Sequence, residues 1–461
     1  MPGQLLSERR NNAMKKQNVV VFFTDQQRFD CMGAYGNPCG LTPNFDWMAR
    51  RGTFAEYAFT PQPVCGPARG CLQTGKYATT IGLHHNRIPL GNRHASLAHY
   101  FNQAGYATGY IGKWHLGSTS LAVPIEDRAE YQYWLGANSL ETASTVYDTV
   151  VYDQDNQPVK LPGYRVDALT DAAIRYIDAH QREPFFLFLS FLEPHFQNPH
   201  DSFPPPDIDK TTEYAYMPRD LAALGGTAWQ HIPGYYGMVR RLDSALGRIL
   251  DALKSLGLTE DTIVLFTSDH GCHFKTRNDE YKRSCHDSSI RIPMAFDGGI
   301  FSGGGLLQGM VSLVDVAPTL LDACGIPVPE DMQGRSLLPL MQNRRAADWP
   351  DEVFVQISES QVGRCIRTRR WKYSVEAPGK DPWMDSCSDT YVETFLYDLE
   401  HDPHELVNLA GFISHRAVAD VMMERLKKKM AEIGEAVPTI IPAVPIAPPG
   451  HHRIFPGEEY Q

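Results

Sequence analysis

Cys65 and Arg69 bracket the stretch Cys65-Gly66-Pro67-Ala68-Arg69, a thiol with a guanidinium four positions on. Pro61, Pro63 and Pro67 stiffen the backbone there and remove amide donors. Beyond Arg69 the pattern becomes compatible with a helix. That places Cys65 at or near a helix start and Arg69 one turn away on the same face. Helix N-termini favour anions. Thiol, helix start and guanidinium together describe an anion site with a nucleophile at its centre. The competing reading is a buried cysteine on a proline-rich loop. A C-x-P-x-R match arises by chance ~0.04 times in a chain of this composition, so the spacing alone leaves both readings open.

Other chemistry-bearing residues follow apolar runs. Asn18-Val19-Val20-Val21-Phe22-Phe23 reads as a strand buried on both faces, and it ends at Asp25-Gln26. The run from Thr262 to Ser268 repeats the pattern and ends at Asp269-His270. α/β sheets place their sites at such strand ends, although Asp25 capping a following helix is an alternative. Ala104 to Ile111 reads as a helix end followed by a strand, and beyond it Lys113 and His115 alternate and share one face. Pro184 to Phe191 is a further buried strand that leads to His195. Gly82 to Arg87 reads as a loop near the pocket, with His84, His85 and Arg87 either touching substrate or simply solvated.

Pro63 to Arg69 together with Leu72-Gln73-Thr74-Gly75-Lys76-Tyr77 resembles the P-x-C-x-P-x-R…L-x-T-G-x-Y signature of the type I, formylglycine-dependent sulfatases of the alkaline-phosphatase-like superfamily. Gly112-Lys113-Trp114-His115-Leu116-Gly117 is identical to that family's G-K-W-H-L-G. Thr267-Ser268-Asp269-His270-Gly271 resembles its T-S-D-H-G, and Ser289-Ile290-Arg291-Ile292-Pro293 its S-I-R-I-P. Scaffold markers at Thr42 to Gly52, Val314 to Leu321, Gly334 to Leu340 and Tyr397 to Ala410 appear in the family's order, so the resemblance covers about Asn18 to Ile433.

The resemblance implies roles. Cys65 would be oxidised to formylglycine, whose hydrate is the nucleophile and faces the metal. Asp25, Gln26, Asp269 and His270 would hold Ca²⁺ or Mg²⁺, with Gln26 standing where the family often has Asp, one negative charge fewer. Arg69 would steady the nucleophile. Lys113, His195 and Lys282 would bind sulfate, with Lys275 and Arg277 as rivals for the lysine role. His115 would act as the base that regenerates the aldehyde, and His195 or Lys282 would protonate the leaving oxygen. His286-Asp287 departs from the family's Tyr-Glu. The implied activity is hydrolysis of a sulfate ester on a small molecule or oligosaccharide, after maturation by a formylglycine-generating enzyme. Alternatives are a phosphonate or phosphate monoester hydrolase of the same superfamily and a non-catalytic glycan-binding homologue. A carbohydrate substrate is favoured because Tyr131, Tyr133, Trp134, Tyr147 and Tyr152 in the insertion from Leu121 to Gly163 are suited to stacking on sugars, though such residues are as often core.

These residues need a frame. The expected fold is α/β: a large mixed, mostly parallel sheet between helices, with a smaller C-terminal antiparallel sheet plus helix. The expected division is a polar N-terminal extension at 1–16, a catalytic domain at 17–348 and a C-terminal subdomain at 349–461, with a hinge near 346–351. Helices are expected at Val166 to His180, Tyr235 to Leu256 and Arg416 to Ile433. The proline-rich stretch Val437 to Pro456 is expected to form neither sheet nor helix. A net charge of −11 argues against nucleic acid. No apolar run approaches a membrane span. Met1 to Lys16 lacks an apolar signal core, which predicts a cytoplasmic protein, or a periplasmic or secreted one should a leader precede it. Nine cysteines without a regular framework suggest mostly free thiols, and a homo-oligomer is compatible with all of this.

Overall fold

Three apolar runs become the centre of a ten-stranded sheet. The computed structural model describes residues 16–119, 121–210, 216–303, 305–342 and 348–446. Its first ten strands are β1 (Asn18–Thr24), β2 (Thr53–Phe59), β3 (Ala107–Lys113), β4 (Tyr133–Ala137), β5 (Thr149–Tyr152), β6 (Pro158–Leu161), β7 (Phe185–Ser190), β8 (Thr262–Ser268), β9 (Met294–Asp297) and β10 (Gly305–Ser312). They lie in the order β10-β2-β9-β8-β1-β7-β3-β4-β5-β6. The β8-β1-β7-β3-β4 block is parallel, whereas β9, β5 and β6 pair antiparallel to their neighbours. Every residue of β1, β7 and β8 is buried. Strands covered on both faces have no need of polar alternation, which is why they read as unbroken apolar runs.

Alternate residues of β1 enter two separate cores. Val20 and Phe22 pack with Phe45 and Met48 of the helix Pro43–Arg51 and with the helices Arg165–Ala179 and Ala228–Ser255. Val19, Val21 and Phe23 pack with Ala68 and Leu72 of the helix Cys65–Thr74 and with the helix Val316–Ala323. The sheet is thus the middle of three layers. The helix expected from Tyr235 begins earlier, at Ala228, and tolerates Pro233 in its opening turns.

The second sheet runs β11 (Glu352–Ile357), β12 (Gly363–Thr368), β13 (Trp371–Glu376), β14 (Thr390–Asp398) and β15 (Thr439–Ile441), in that order. β15 corrects the expectation for the tail: Thr439 to Ile441 follow Pro438 and precede Pro442, are proline-free themselves, and pair parallel to β14. The small sheet is therefore antiparallel with one parallel edge. One face carries the helix Arg416–Glu432 through Ala419, Met422, Leu426 and Met430. The other packs Val353, Val355, Ile357 and Cys365 against Phe59, Cys285 and Ile290 of the larger unit. Of the expected extension, hinge and tail, residues 1–15, 346–347 and 447–461 lie outside the described residues. All nine cysteines are unpaired thiols. Among the described residues, no helix is long and apolar enough to cross a membrane.

A buried ion cluster joins the two units. Asp287 accepts hydrogen bonds from Arg367 at 2.9 Å and Lys372 at 2.6 Å, and Lys372 also pairs with Glu405. Burial pushes Asp287 up, but Arg367 and Lys372 hold it well below the usual carboxylate range. His286 meets the hydroxyl of Tyr397 at 3.0 Å. The His-Asp departure from the family pattern thus packs against the small sheet and does not face the pocket. Lys372→Met leaves two buried carboxylates short of a cation, and urea denaturation should show a loss of about 3–5 kcal/mol. A loss below about 1 kcal/mol, the range of an exposed pair, would remove the cluster from any role in holding the units together.

Candidate active site

Strand register decides which side chains meet. Thr24 is level with Ser268 across the β1–β8 pair, so Asp25 and Asp269 leave the sheet at the same height. Phe23 is level with Ser190, and Ser190 with Gly112, which brings Lys113 to the same rim. Gly112 is required there: its φ is +105°, and a Cβ would sit 1.9 Å from the Ser190 carbonyl oxygen. The helix Cys65–Thr74 begins at Cys65 itself and points its first turn into this rim. Asn86 Oδ1 accepts from the Gly66 amide at 2.8 Å and caps that turn from outside the helix.

Around the Cys65 sulfur the groups converge. Lys282 Nζ lies 2.8 Å from Sγ, His270 Nε2 3.3 Å and Asp25 Oδ1 3.6 Å. Lys282 Nζ is also 3.3 Å from His195 Nε2 and 3.1 Å from His270 Nε2. His115 and His195 also act on the thiol. Burial raises the Cys65 pKa, but Lys113, Lys282 and His270 with the His115 hydrogen bond bring it well below a thiol's ordinary value. The setting favours thiolate over thiol, as a cavity that gathers cations around an anion would. Burial and the nearby lysines push His195 down.

Arg69 is placed differently from the expectation that it steadies the nucleophile. Its guanidinium donates to Asp25 Oδ2 at 2.9 Å, Asp269 Oδ2 at 3.2 Å, the Lys113 carbonyl at 3.0 Å and Ser190 Oγ at 2.7 Å. It therefore holds the two acids and the end of β3. Lys113 Nζ lies 2.8 Å from Asp25 Oδ2. Burial and Cys65 push Asp25 up, yet Lys113, His195 and Arg69 hold it well below the usual range. Burial and the charge on Asp25 push Asp269 up to about 6. Two carboxylates in one dry site separate in this way.

The donor set fits a hard divalent cation. Ligand atoms of Asp25, Cys65, Asp269 and His270 all lie within 4.8 Å of one another, and all four residues are buried. Gln26 follows Asp25 at a φ of +65°, and its Oε1 is buried without a hydrogen-bond partner. Carboxylate oxygens, an amide oxygen and one imidazole suit such an ion.

The remaining expected residues fall elsewhere. Lys275 pairs with Asp201 at 2.9 Å, and Arg277 donates to the carbonyls of His404 and Glu405. Neither rivals Lys282. His84, His85 and Arg87 gather around Trp383: His84 and His85 rings are 4.7 Å apart, His85 is 5.7 Å from the Trp383 ring and Arg87 lies over it at 4.9 Å. It is their neighbour Asn86 that reaches the helix start. Tyr131 and Trp134 are core residues, 4% and 1% exposed, and Trp134 lies in β4, which joins the main sheet. Tyr133 packs on Tyr176, and Tyr147 on Tyr164.

Sequence reasoning missed three contributors. Glu141, in the short helix Leu140–Ala143, accepts from Lys113 Nζ at 3.2 Å. Ser190 bonds Arg69 and the Lys113 carbonyl. Glu359, held at a φ of +64°, accepts from the Asn86 amide at 2.8 Å and pairs with Arg283, tying the small sheet to the loop that caps the Cys65 helix. None stands in a pattern; Ser190 alone carries a cue, as the polar end of a buried strand.

The family model described as Sulfatase matches residues 17–326, and that described as N-sulphoglucosamine sulphohydrolase, C-terminal, matches 279–432. An ulvan-active sulfatase of Formosa agariphila is 30% identical over 438 residues, covering 91% of this chain and 82% of the relative. An N-acetylglucosamine-6-O-sulfatase of Bacteroides thetaiotaomicron is 24% identical, covering 90% of this chain and 86% of its own. Among solved structures, one in complex with its substrate D-glucosamine-2-N,6-O-disulfate superposes with a TM-score of 0.75 at 22% identity, over 91% of this chain and 98% of that one.

Proposed function

The chain belongs to the sulfatase family and is a sulfuric ester hydrolase, and on that premise we propose that it removes sulfate from a carbohydrate by S–O cleavage at residue 65. The observation that carries the reading is the convergence on the Cys65 sulfur, at a helix start, of Lys282 at 2.8 Å and His270 at 3.3 Å. The relatives named for ulvan and N-acetylglucosamine 6-sulfate support a sugar substrate.

In this reading Cys65 is oxidised after synthesis to formylglycine, whose hydrate supplies an oxygen nucleophile. Asp25, Gln26, Asp269 and His270 would hold Ca²⁺, or Mg²⁺, with residue 65 facing it, and the ion supplies positive charge that acidifies the nucleophile and polarises a sulfate oxygen. Lys113, His195 and Lys282 bind the other sulfate oxygens and neutralise charge as the S–O bond breaks. Arg69 keeps Asp25 and Asp269 ionised and aimed. His195 and Lys282, which touch each other, deliver the proton to the leaving oxygen. His115 accepts the proton of the second hydroxyl of residue 65 as the C–O bond to the transferred sulfate breaks, which gives the aldehyde and free sulfate; water then restores the hydrate.

The test is a panel of sulfated mono- and disaccharides, read by released sulfate, with an aryl sulfate as reporter. Desulfation of at least one sugar supports the reading; aryl sulfate turnover with no sugar cleaved removes the carbohydrate part. Dialysis against a strong chelator should lower aryl sulfate turnover at least ~100-fold, with recovery on adding back Ca²⁺ or Mg²⁺. Full turnover without metal would contradict the ligand assignment.

A further inference from the structure

Glu141 is a charge beside the anion site to which the proposed function gives no task. It is 7% exposed, and its Oε1 shares Lys113 with Asp25: Lys113 Nζ is 3.2 Å from Glu141 and 2.8 Å from Asp25. Its Oε2 is buried without a hydrogen-bond partner. Burial raises its pKa, but Lys113, His115 and His195 bring it down to about 2. A carboxylate among cations that gather an anion weakens binding of every anion, and weakens it more for each added unit of charge. It also cancels part of the charge on Lys113.

Tetrahedral esters differ in that unit. A sulfate monoester carries one negative charge at all ordinary pH. A phosphate monoester carries close to two above its second pKa of about 6. A phosphonate monoester carries one. We propose that Glu141 sets the preference of this site for singly charged tetrahedral esters over doubly charged phosphate monoesters. This rests on the reading of the site as a sulfate-ester hydrolase, and it adds the charge class of the substrate to that reading. Lys113 at the end of β3 is paired with Glu141, and His115 just beyond it, His195 after β7 and Cys65 at its helix start also act on its charge.

The experiment uses the mature, metal-loaded enzyme and its Glu141→Gln variant with 4-nitrophenyl sulfate, 4-nitrophenyl phosphate and a 4-nitrophenyl phosphonate monoester at pH 7.5. Each ester is read by kcat/KM or, where it turns over slowly, as a competitive inhibitor of sulfate-ester turnover. Removing the charge should raise the phosphate-to-sulfate ratio about tenfold, while the phosphonate-to-sulfate ratio stays within about twofold. A phosphate-to-sulfate change under about fivefold, or a parallel change for phosphonate, overturns the proposal.

A measurement on the unaltered enzyme guards against a variant that fails to fold. Between pH 5.5 and 7.5 its phosphate-to-sulfate ratio should fall about threefold to sixfold as the phosphate ester loses its second proton. Titrations of the site act on both esters, so the ratio reports the ester charge. A flat ratio overturns the proposal. An unaltered, formylglycine-bearing enzyme with no sulfate-ester turnover at all would overturn the proposed function instead, a result distinct from an unchanged ratio.

Discussion

Cys65→Ala abolishes sulfate-ester turnover, a fall of ~10⁴-fold or more, and leaves the melting temperature within a few degrees of the parent. The size follows from what the side chain is asked to do: without residue 65 the site loses the oxygen that attacks sulfur, and the surrounding lysines and histidines, which bind sulfate and move protons, do not replace it. The fold survives because the helix Cys65–Thr74 does not depend on Sγ. Asn86 caps its first turn, and Ala68 and Leu72 anchor it in the core. The same loss is expected for the unaltered sequence made in cells without a cysteine-oxidising maturation enzyme. Mass spectrometry of the peptide carrying residue 65 then reads intact cysteine where the active protein reads the aldehyde. Full turnover from a preparation whose residue 65 is entirely thiol would refute the nucleophile assignment.

Arg69→Ala combines a large expected loss of stability with a large loss of rate. The guanidinium is 3% exposed, makes four hydrogen bonds and lies over the Phe23 ring at 5.1 Å. Removing it leaves Asp25 and Asp269 in a dry site with one cation fewer, a change of about 3–5 kcal/mol. The acids then lose their common orientation, and turnover should fall ~10³-fold as the ligand cluster loosens. Arg69→Lys keeps the charge without the planar fork that spans both acids, so it should recover part of the stability and little of the rate. Calorimetry with initial rates on an aryl sulfate checks both. A stable, active Arg69→Ala protein would show that the acids need no fixed partner.

The contrast between legible and illegible parts of this site is physical. Strands β1, β7 and β8 declare themselves because burial on both faces demands unbroken apolar runs, and the acids after β1 and β8 stand out against that background. The start of the Cys65 helix is legible from its prolines. Lys113, His195 and Lys282 required the resemblance, since a lone lysine or histidine after a strand has no spacing of its own. Glu141 was hidden for another reason. It lies in a stretch without period, and its partner Lys113 meets it only because β3 and β4 are adjacent in the sheet. Glu359 reaches Asn86 across 273 positions, with no local signature. β15 was missed because prolines on either side suggested an unpaired tail, whereas a three-residue edge strand needs only the residues between them.

The order of strands carries a consequence for synthesis on the ribosome. β1 is made first among the strands but sits between β8 and β7, so its two hydrogen-bonding edges wait for residues 185–190 and 262–268. At ~5–20 residues per second, the emerging Val-Val-Val-Phe-Phe segment stays unpaired on one edge for tens of seconds. Uncharged and rich in β-branched and aromatic residues, it is the kind of sequence that pairs with copies of itself when left open. Yield in a foreign host should therefore depend on chaperone supply and translation rate more than on the final stability of the folded enzyme.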